Sequence, residues 1–174
     1  MGQWLLRTQQ LELRPLPADA AAALPSDRER ASHLLDGVAL AADWPLPDLL
    51  DVLPIQAAAP PGAECFGVWV VVEHESATVV GDVGFLGAPD DSGALEIGFS
   101  VVPDRRRRGY AAEAATALVG WALAQPEVRA VVASCESDNV ASIRTLARSG
   151  FRRTDEADGR IRWQYGREQP TYEV

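Results

Sequence analysis

The spacing of apolar positions changes several times along the chain, and each change marks an element. Thr8 to Leu13 alternates imperfectly and reads as a strand, followed by Pro15 and Pro17 and an Ala-rich helical stretch from Ala18 to Leu24. Ser26-Asp27 reads as the cap of a second short helix running to about Leu35, and Pro47 to Leu53 as a third. Pro54 to Gly62, with Pro60-Pro61, reads as a loop. From Phe66 the pattern sharpens. Phe66 to Val72 and Thr78 to Leu86 are β-branched and aromatic runs joined by a polar turn, His74 to Ala77, which makes a hairpin. A longer turn, Pro89 to Gly93, leads to a third strand, Ala94 to Val102, ended by Pro103. On it Leu95, Ile97, Phe99 and Val101 share one face, and Glu96, Gly98, Ser100 and Val102 the other.

Helical periodicity then takes over. From Gly109 to Ala124 the stripe Tyr110, Ala114, Ala117, Leu118 and Trp121 marks one face of an alanine-dominated helix. Val128 to Cys135 is a nearly continuous apolar strand. Asp138 to Ser149 is a helix with Val140, Ile143 and Leu146-Ala147 on one face, and Gly150 stands where a C-terminal cap belongs. Phe151 to Thr154 and Arg160 to Tyr165 form a last hairpin around Asp158-Gly159. The order from Phe66 is β-β-β-α-β-α-β-β, which gives an α/β (α+β) sandwich with helices packed on a mixed sheet.

At 174 residues the chain has the length of one domain, and we expect residues 1–174 to form it. Hydrophobic residues at 47% and charged residues at 24% argue against disorder. No run of about 18 apolar residues offers a membrane span, and the start Met1-Gly2-Gln3-Trp4 lacks the features of a signal peptide, so a cytoplasmic location is expected. All 16 basic residues are arginine. With no lysine, P-loop phosphate binding, pyridoxal Schiff bases and kinase-type strand lysines are excluded. Cys65 and Cys135, far apart and without metal-ligand spacing to His33 or His74, read as buried thiols, and no metal site is expected. Residues 1–100 carry 4 Arg against 15 acids and residues 101–174 carry 12 Arg against 10, within an overall charge of −9. That balance disfavours nucleic acid as a partner.

Val101-Val102-Pro103-Asp104-Arg105-Arg106-Arg107-Arg108-Gly109-Tyr110-Ala111 carries the most chemistry. A strand ends at proline, an Arg-rich turn follows, and glycine and alanine open a helix whose unpaired N–H groups and positive dipole end suit an anion. A pyrophosphate cradle is the functional reading and a solvated basic loop the plain one. Arg106-Arg107-Arg108-Gly109-Tyr110-Ala111 matches R-x-x-G-x-[GA], the acetyl-coenzyme A signature of the GNAT N-acetyltransferase superfamily. Leu95-Glu96-Ile97-Gly98-Phe99, Glu113-Ala114, and Asn139 to Ser142 through Gly150-Phe151 resemble the flanking motifs of its ribosomal-protein N-terminal acetyltransferase branch.

That resemblance implies a mostly antiparallel central sheet of about seven strands flanked by helices and splayed beside the third meander strand, with coenzyme A in the opening. Carried over by position, the main chain of Val101 and Val102 pairs with the pantetheine arm. The amides of Arg106, Arg107, Arg108, Gly109, Tyr110 and Ala111 hold the pyrophosphate. Asn139 binds the pantetheine arm or caps its own helix, and Arg144 reaches the adenosine end or, like Arg148, lies on a solvated face.

Acetyl transfer requires an amine that has lost a proton and a thiolate that gains one. Amine pKa values of about 8 to 10 make a positioned carboxylate useful for the first step. Glu96 is the candidate base, with Glu136 as the alternative and a solvent-facing strand glutamate as the plain reading. Many relatives carry a tyrosine seven positions after the asparagine, but here Leu146 stands there, leaving Ser142 as the nearest hydroxyl, or solvent, for the second step. The expected activity is transfer of acetyl from acetyl-CoA to a primary amine in a ternary complex. The acidic first half favours a cationic acceptor: a protein N-terminus, a polyamine or an aminoglycoside. The alternative is a non-catalytic coenzyme A or acyl-coenzyme A binding module or sensor. Trp44 reads as a pocket-lining residue or a packing anchor, and the assembly as a monomer or homodimer.

Overall fold

A computed structural model describes residues 4–166. β1 (Leu6–Arg7) and β2 (Leu11–Pro15) are followed by α1 (Ala18–Ala23), α2 (Arg28–Leu34), β3 (Ala39–Leu40), α3 (Pro47–Leu50) and α4 (Leu53–Ala57). Then come β4 (Val68–Glu73), β5 (Thr78–Phe85), β6 (Ala94–Val101), α5 (Tyr110–Leu123), β7 (Ala130–Glu136), α6 (Val140–Arg148), β8 (Arg152–Ala157) and β9 (Arg160–Gly166). From β4 onward this is the order read from the sequence. The sheet runs β1-β2-β4-β5-β6-β7-β9-β8, with β3 pairing in parallel beside the start of β5. Among the described residues only that pair and β6–β7 are parallel, and counting the two-residue β1 and β3 there are nine strands, of which seven have five residues or more, the number expected.

In the first 60 residues α1 and α2 follow the sequence reading, with Asp27 as the N-cap of α2, and the rest departs from it. The strand expected from Thr8 begins only at Leu11, because Thr8 N donates to the Leu11 carbonyl at 2.8 Å and Leu11 N donates back to Thr8 Oγ1, which closes a turn between β1 and β2. The helix expected from Pro47 to Leu53 stops at Leu50. Residues 54–57, expected as loop, belong with Leu53 to α4, since Pro54 occupies the first turn, where a helix loses nothing by lacking an N–H. Gln56 on α4 is buried, donating from Nε2 to Leu16 O at 2.7 Å and accepting from Val68 N at 3.0 Å, so it closes the backbone between β2 and β4. A Cβ at Gly67 would stand 1.9 Å from Gln56 Oε1, so glycine is required there.

β6 is shared between two partners. Ala94 to Glu96 pair in parallel with Ala130 to Val132 of β7, whereas Ile97 to Val101 pair antiparallel with β5. Beyond Glu96 and Val132 the two strands diverge and open a V toward their C-terminal ends. α5 covers one face of the sheet, where Trp121 packs against Trp69, Phe66 and Phe85 with ring centroids 5.1 to 6.4 Å apart. The expected stripe Tyr110, Ala114, Leu118 and Trp121 is buried there, and α6 lies beside α5 with Leu146 in the core. On the opposite face of β6, Glu96 and Gly98 are exposed. Trp44 is fully buried, a packing anchor whose indole N–H reaches Asp82 on β5. Cys65 and Cys135 are buried free thiols. Asp158 and Gly159 both take positive φ, 53° and 75°, the primed turn expected of the last hairpin.

Candidate functional site

After β6 the chain makes one short turn, Pro103–Arg105, and enters α5 through Arg106 to Gly109. Arg107 at φ 64° and Gly109 at φ 78° lie in the left-handed region, and Gly109 is the N-cap with no side-chain cap hydrogen bond. Alternating conformations of this kind turn successive N–H groups toward one point, and the first N–H groups of α5 have no partner within the helix. Arg106 N donates to the Pro103 carbonyl at 3.3 Å, so the amide role expected of Arg106 is corrected, and it is Arg107 to Ala111 that form a concave, amide-lined start to α5 at the mouth of the V. No Cβ is present at Gly109 to narrow it.

Along β6 the main-chain groups alternate in direction. Val102 N donates to Val80 O at 2.9 Å, toward β5, so its amide is committed and does not serve a ligand in the V; this corrects the role expected of Val102. Val101 and Phe99 therefore point their main-chain groups the other way, into the V. Arg106 Nε caps the Val101 carbonyl at 2.9 Å. Phe99, not Val102, is the second main-chain position that a ligand in the V would meet, a distinction only the register supplies.

The arginines of the turn divide into two sets. Arg105 Nε lies 3.3 Å and 3.4 Å from the two oxygens of Glu73, and Arg108 Nη1 3.4 Å from Oε1. Only Arg105 is partly buried; Arg108 reaches Glu73 from an exposed position, and Arg106 and Arg107 are exposed as well. Burial pushes the Glu73 carboxyl up, but hydrogen bonds from Ser76 and Tyr110 and the nearby Arg105 together hold it below its ordinary value. A cavity of about 560 Å³ opens at Arg108 and Gly109 and extends along α5 past Ala112 and Thr116 to Thr8, Gln10 and Arg148. Arg148, read from sequence as solvated, lines this cavity, while Arg144 is exposed and does not.

On the exposed face at the narrow end of the V, Glu96 accepts from Ser134 Oγ at 3.2 Å. Ser134 Oγ in turn accepts from Arg160 Nη2 at 2.9 Å, and Arg160 pairs with Glu136. The two candidate bases are thus members of one chain of contacts, and Glu136 is the one facing a guanidinium. Ser134 was missed from sequence because Val128 to Cys135 reads as a continuous apolar run. At the start of α6, Asn139 Oδ1 accepts from Ser142 N at 3.1 Å, so Asn139 caps its helix through one amide atom and keeps its Nδ2 protons. Ser142 is half-buried on the first turn, and Leu146 is 1% exposed, filling core where a tyrosine hydroxyl would otherwise stand.

Residues 10–152 match the family model described as an acetyltransferase (GNAT) domain, most of the chain. The chain belongs to the GNAT acetyltransferase family. A curated relative, the uncharacterized N-acetyltransferase YjdG of Bacillus subtilis, is 35% identical over 151 residues, covering 84% of this chain and 89% of its own. In fold, this GNAT acetyltransferase is similar to a putative ribosomal-protein-serine acetyltransferase from Vibrio cholerae, with a TM-score of 0.63 and 20% identity over 94% of this chain and 98% of that one. It is similar also to RimL, a ribosomal L7/L12 α-N-protein acetyltransferase whose structure is in complex with coenzyme A, with a TM-score of 0.64 and 16% identity over 93% and 97% of the two chains. As a GNAT acetyltransferase the chain is in general an acetyl-CoA-dependent N-acetyltransferase. Among the described residues no helix is long and apolar enough to cross a membrane.

Proposed function

We propose that this GNAT domain, spanning the whole chain, transfers the acetyl group directly from acetyl-CoA to a primary amine, with both substrates bound at once. The amides of Arg107 to Ala111 hold the diphosphate, and Val101 and Phe99 pair with the pantetheine arm like an added strand. Asn139 Nδ2 meets that arm near its thiol end, and the cavity bordered by Arg108 and Arg148 takes the adenosine. The observation that supports this reading is the concave helix start at the mouth of an open V, where the Gly109 cap has no side-chain hydrogen bond among the described residues.

Acetyl-CoA supplies an activated acyl carbon. The chain's own work is to align an amine with it, which lowers the barrier without a covalent enzyme intermediate. Glu96 takes the amine proton as the C–N bond forms, and Ser134 holds one of its oxygens in place. Glu136, already paired with Arg160, is the alternative. As the C–S bond breaks, the sulfur gains its proton from the Ser142 hydroxyl or from water, Leu146 having none to give. The acceptor is a cationic amine, a protein N-terminus or a small polyamine, because the β6 face presents Glu96 and the first half of the chain is acidic. Acetylation assays across an amine panel test this reading. Turnover on at least one amine, lost in Glu96→Gln, is expected; coenzyme A binding with no turnover on any amine would instead identify a non-catalytic binding module.

A further inference from the structure

Glu73, the last residue of β4, is a 3% exposed carboxylate beneath the turn that leads into α5, and the chemistry above does not use it. Four donors from two segments converge on it. Tyr110 Oη, from the first residue of α5, donates to Oε1 at 2.7 Å; Arg105, before the cradle, and Arg108, within it, approach at 3.3 to 3.4 Å; Ser76 Oγ donates from the β4–β5 turn. Between Arg105 and Tyr110 lies Arg107, a residue with a Cβ held at φ 64°. Such a conformation costs about 1 kcal/mol and persists only where its surroundings over-determine it. The sheet-anchored carboxylate, holding the chain before and after Arg107, is that determinant.

We propose that Glu73 is a positioning residue for the cofactor. By fixing Arg105, Arg108 and Tyr110 from beneath, it sets the curvature of the amide cradle and holds the Arg105 guanidinium against the sheet. Glu73 touches no ligand. Its influence reaches acetyl-CoA through the main chain of 107–110, so recognition rests on the geometry of amides rather than on the number of arginines. The arrangement explains how an Arg-Arg-Arg-Arg run can be selective: charge alone would take any polyanion, whereas a cradle of fixed curvature suits a diphosphate.

The inference rests on the reading that the cradle binds acetyl-CoA, and the experiment separates the two. Calorimetry with coenzyme A on the full chain, wild type and Glu73→Gln, is combined with steady-state kinetics. Glu73→Gln is expected to weaken coenzyme A about tenfold and to raise KM for acetyl-CoA by the same factor, with kcat at saturation and KM for the amine unchanged. Tyr110→Phe, which keeps the buried ring and removes one donor, is expected to weaken coenzyme A about threefold. The double variant Glu73→Gln/Arg105→Gln is expected to bind no worse than Glu73→Gln alone, since Arg105 acts through Glu73. Coenzyme A affinity within twofold of wild type in both single variants overturns the positioning role alone. A fall in kcat together with a rise in both KM values overturns it in favour of general damage to the fold. No binding by the wild type overturns the cofactor reading itself.

Discussion

Glu96 and Ser134 sit across the last parallel pair of strands before the sheet divides, Ser134 Oγ donating to Glu96 Oε1 at 3.2 Å. The pair in register with Glu96 is Val132, so Ser134 reaches it diagonally, from one step farther along β7. A base at this point has a floor of paired backbone behind it and the open V ahead. The hydroxyl fixes one carboxylate oxygen and leaves the other for an incoming amine. Glu136 stands two residues beyond Ser134 but is held in an ion pair with Arg160, which occupies one of its oxygens.

Glu96→Gln is therefore expected to lower kcat by about 10²-fold or more, the usual contribution of a general base, while KM for acetyl-CoA stays within about twofold. Glu136→Gln is expected to change kcat by less than about threefold. Steady-state kinetics on both variants with one accepted amine decides between them: a larger loss in Glu136→Gln would move the base to the end of β7.

How much of this was legible in the sequence depends on what encodes each feature. The strands and helices from Phe66 onward were readable because their periods, two and 3.6, are long enough to count. In the first 60 residues α1 and α2 were legible too, from an alanine run and an Asp27 cap, but the β1–β2 turn, α3 and α4 were not, because these elements are short and held by partners distant in sequence, such as Gln56 bridging Leu16 and Val68. In the site, the cradle was legible because glycine and proline impose backbone geometry wherever they occur. Its supports were not: Glu73 lies 37 residues before Tyr110, and nothing in Arg105 to Arg108 tells which guanidinium turns inward. Val102 was misassigned for a related reason, since the direction of an amide depends on register, and a shift of one residue reverses it.

Asp82, on β5, accepts from the Trp44 indole at 2.9 Å and from Ser100 Oγ at 2.8 Å, both on Oδ2. Burial pushes its carboxyl up to about 6 from an ordinary 3.8, against those two hydrogen bonds and with a further push from Asp48. The folded state thus binds this proton more tightly than the unfolded chain, so the group favours folding at acid pH and that contribution is lost as pH rises from about 4 through 6. Asp82→Asn keeps an acceptor for both donors and removes the buried charge. It is expected to raise stability by of order 2 kcal/mol at pH 8 and to change it little at pH 4. Urea unfolding at the two pH values measures the difference; equal effects at both would contradict the assignment.

Gly109 takes φ 78° with no atom within 4 Å of where a Cβ would stand. Gly109→Ala therefore meets no clash but forces alanine into the left-handed region, at a cost of about 1–2 kcal/mol, which lowers Tm by a few degrees. The variant relieves that strain by turning the amides at the start of α5, and coenzyme A affinity is expected to fall about tenfold. Calorimetry beside thermal unfolding checks both. A Tm loss with unchanged affinity would show that the diphosphate is held elsewhere.

Glu113 ties the β1–β2 turn to α5, accepting from Gln10 N and Gln10 Nε2 at 2.7 Å each and from Thr8 Oγ1. Burial pushes its carboxyl up, but these bonds outweigh burial and hold it below its ordinary 4.5. A carboxylate whose folded pKa is depressed stabilises the fold above the unfolded value and loses that contribution as pH falls through the folded one. Glu113→Gln keeps the shape, but its amide nitrogen faces a donor where an acceptor is required, so it is expected to unfold at lower urea than wild type at pH 7. Lowering the pH below about 4.5 should shrink the gap between the two proteins, because the wild type then loses the charge that the variant never had. The same substitution disturbs one wall of the cavity beside Arg108, so a modest rise in KM for acetyl-CoA with unchanged KM for the amine is expected alongside the stability loss.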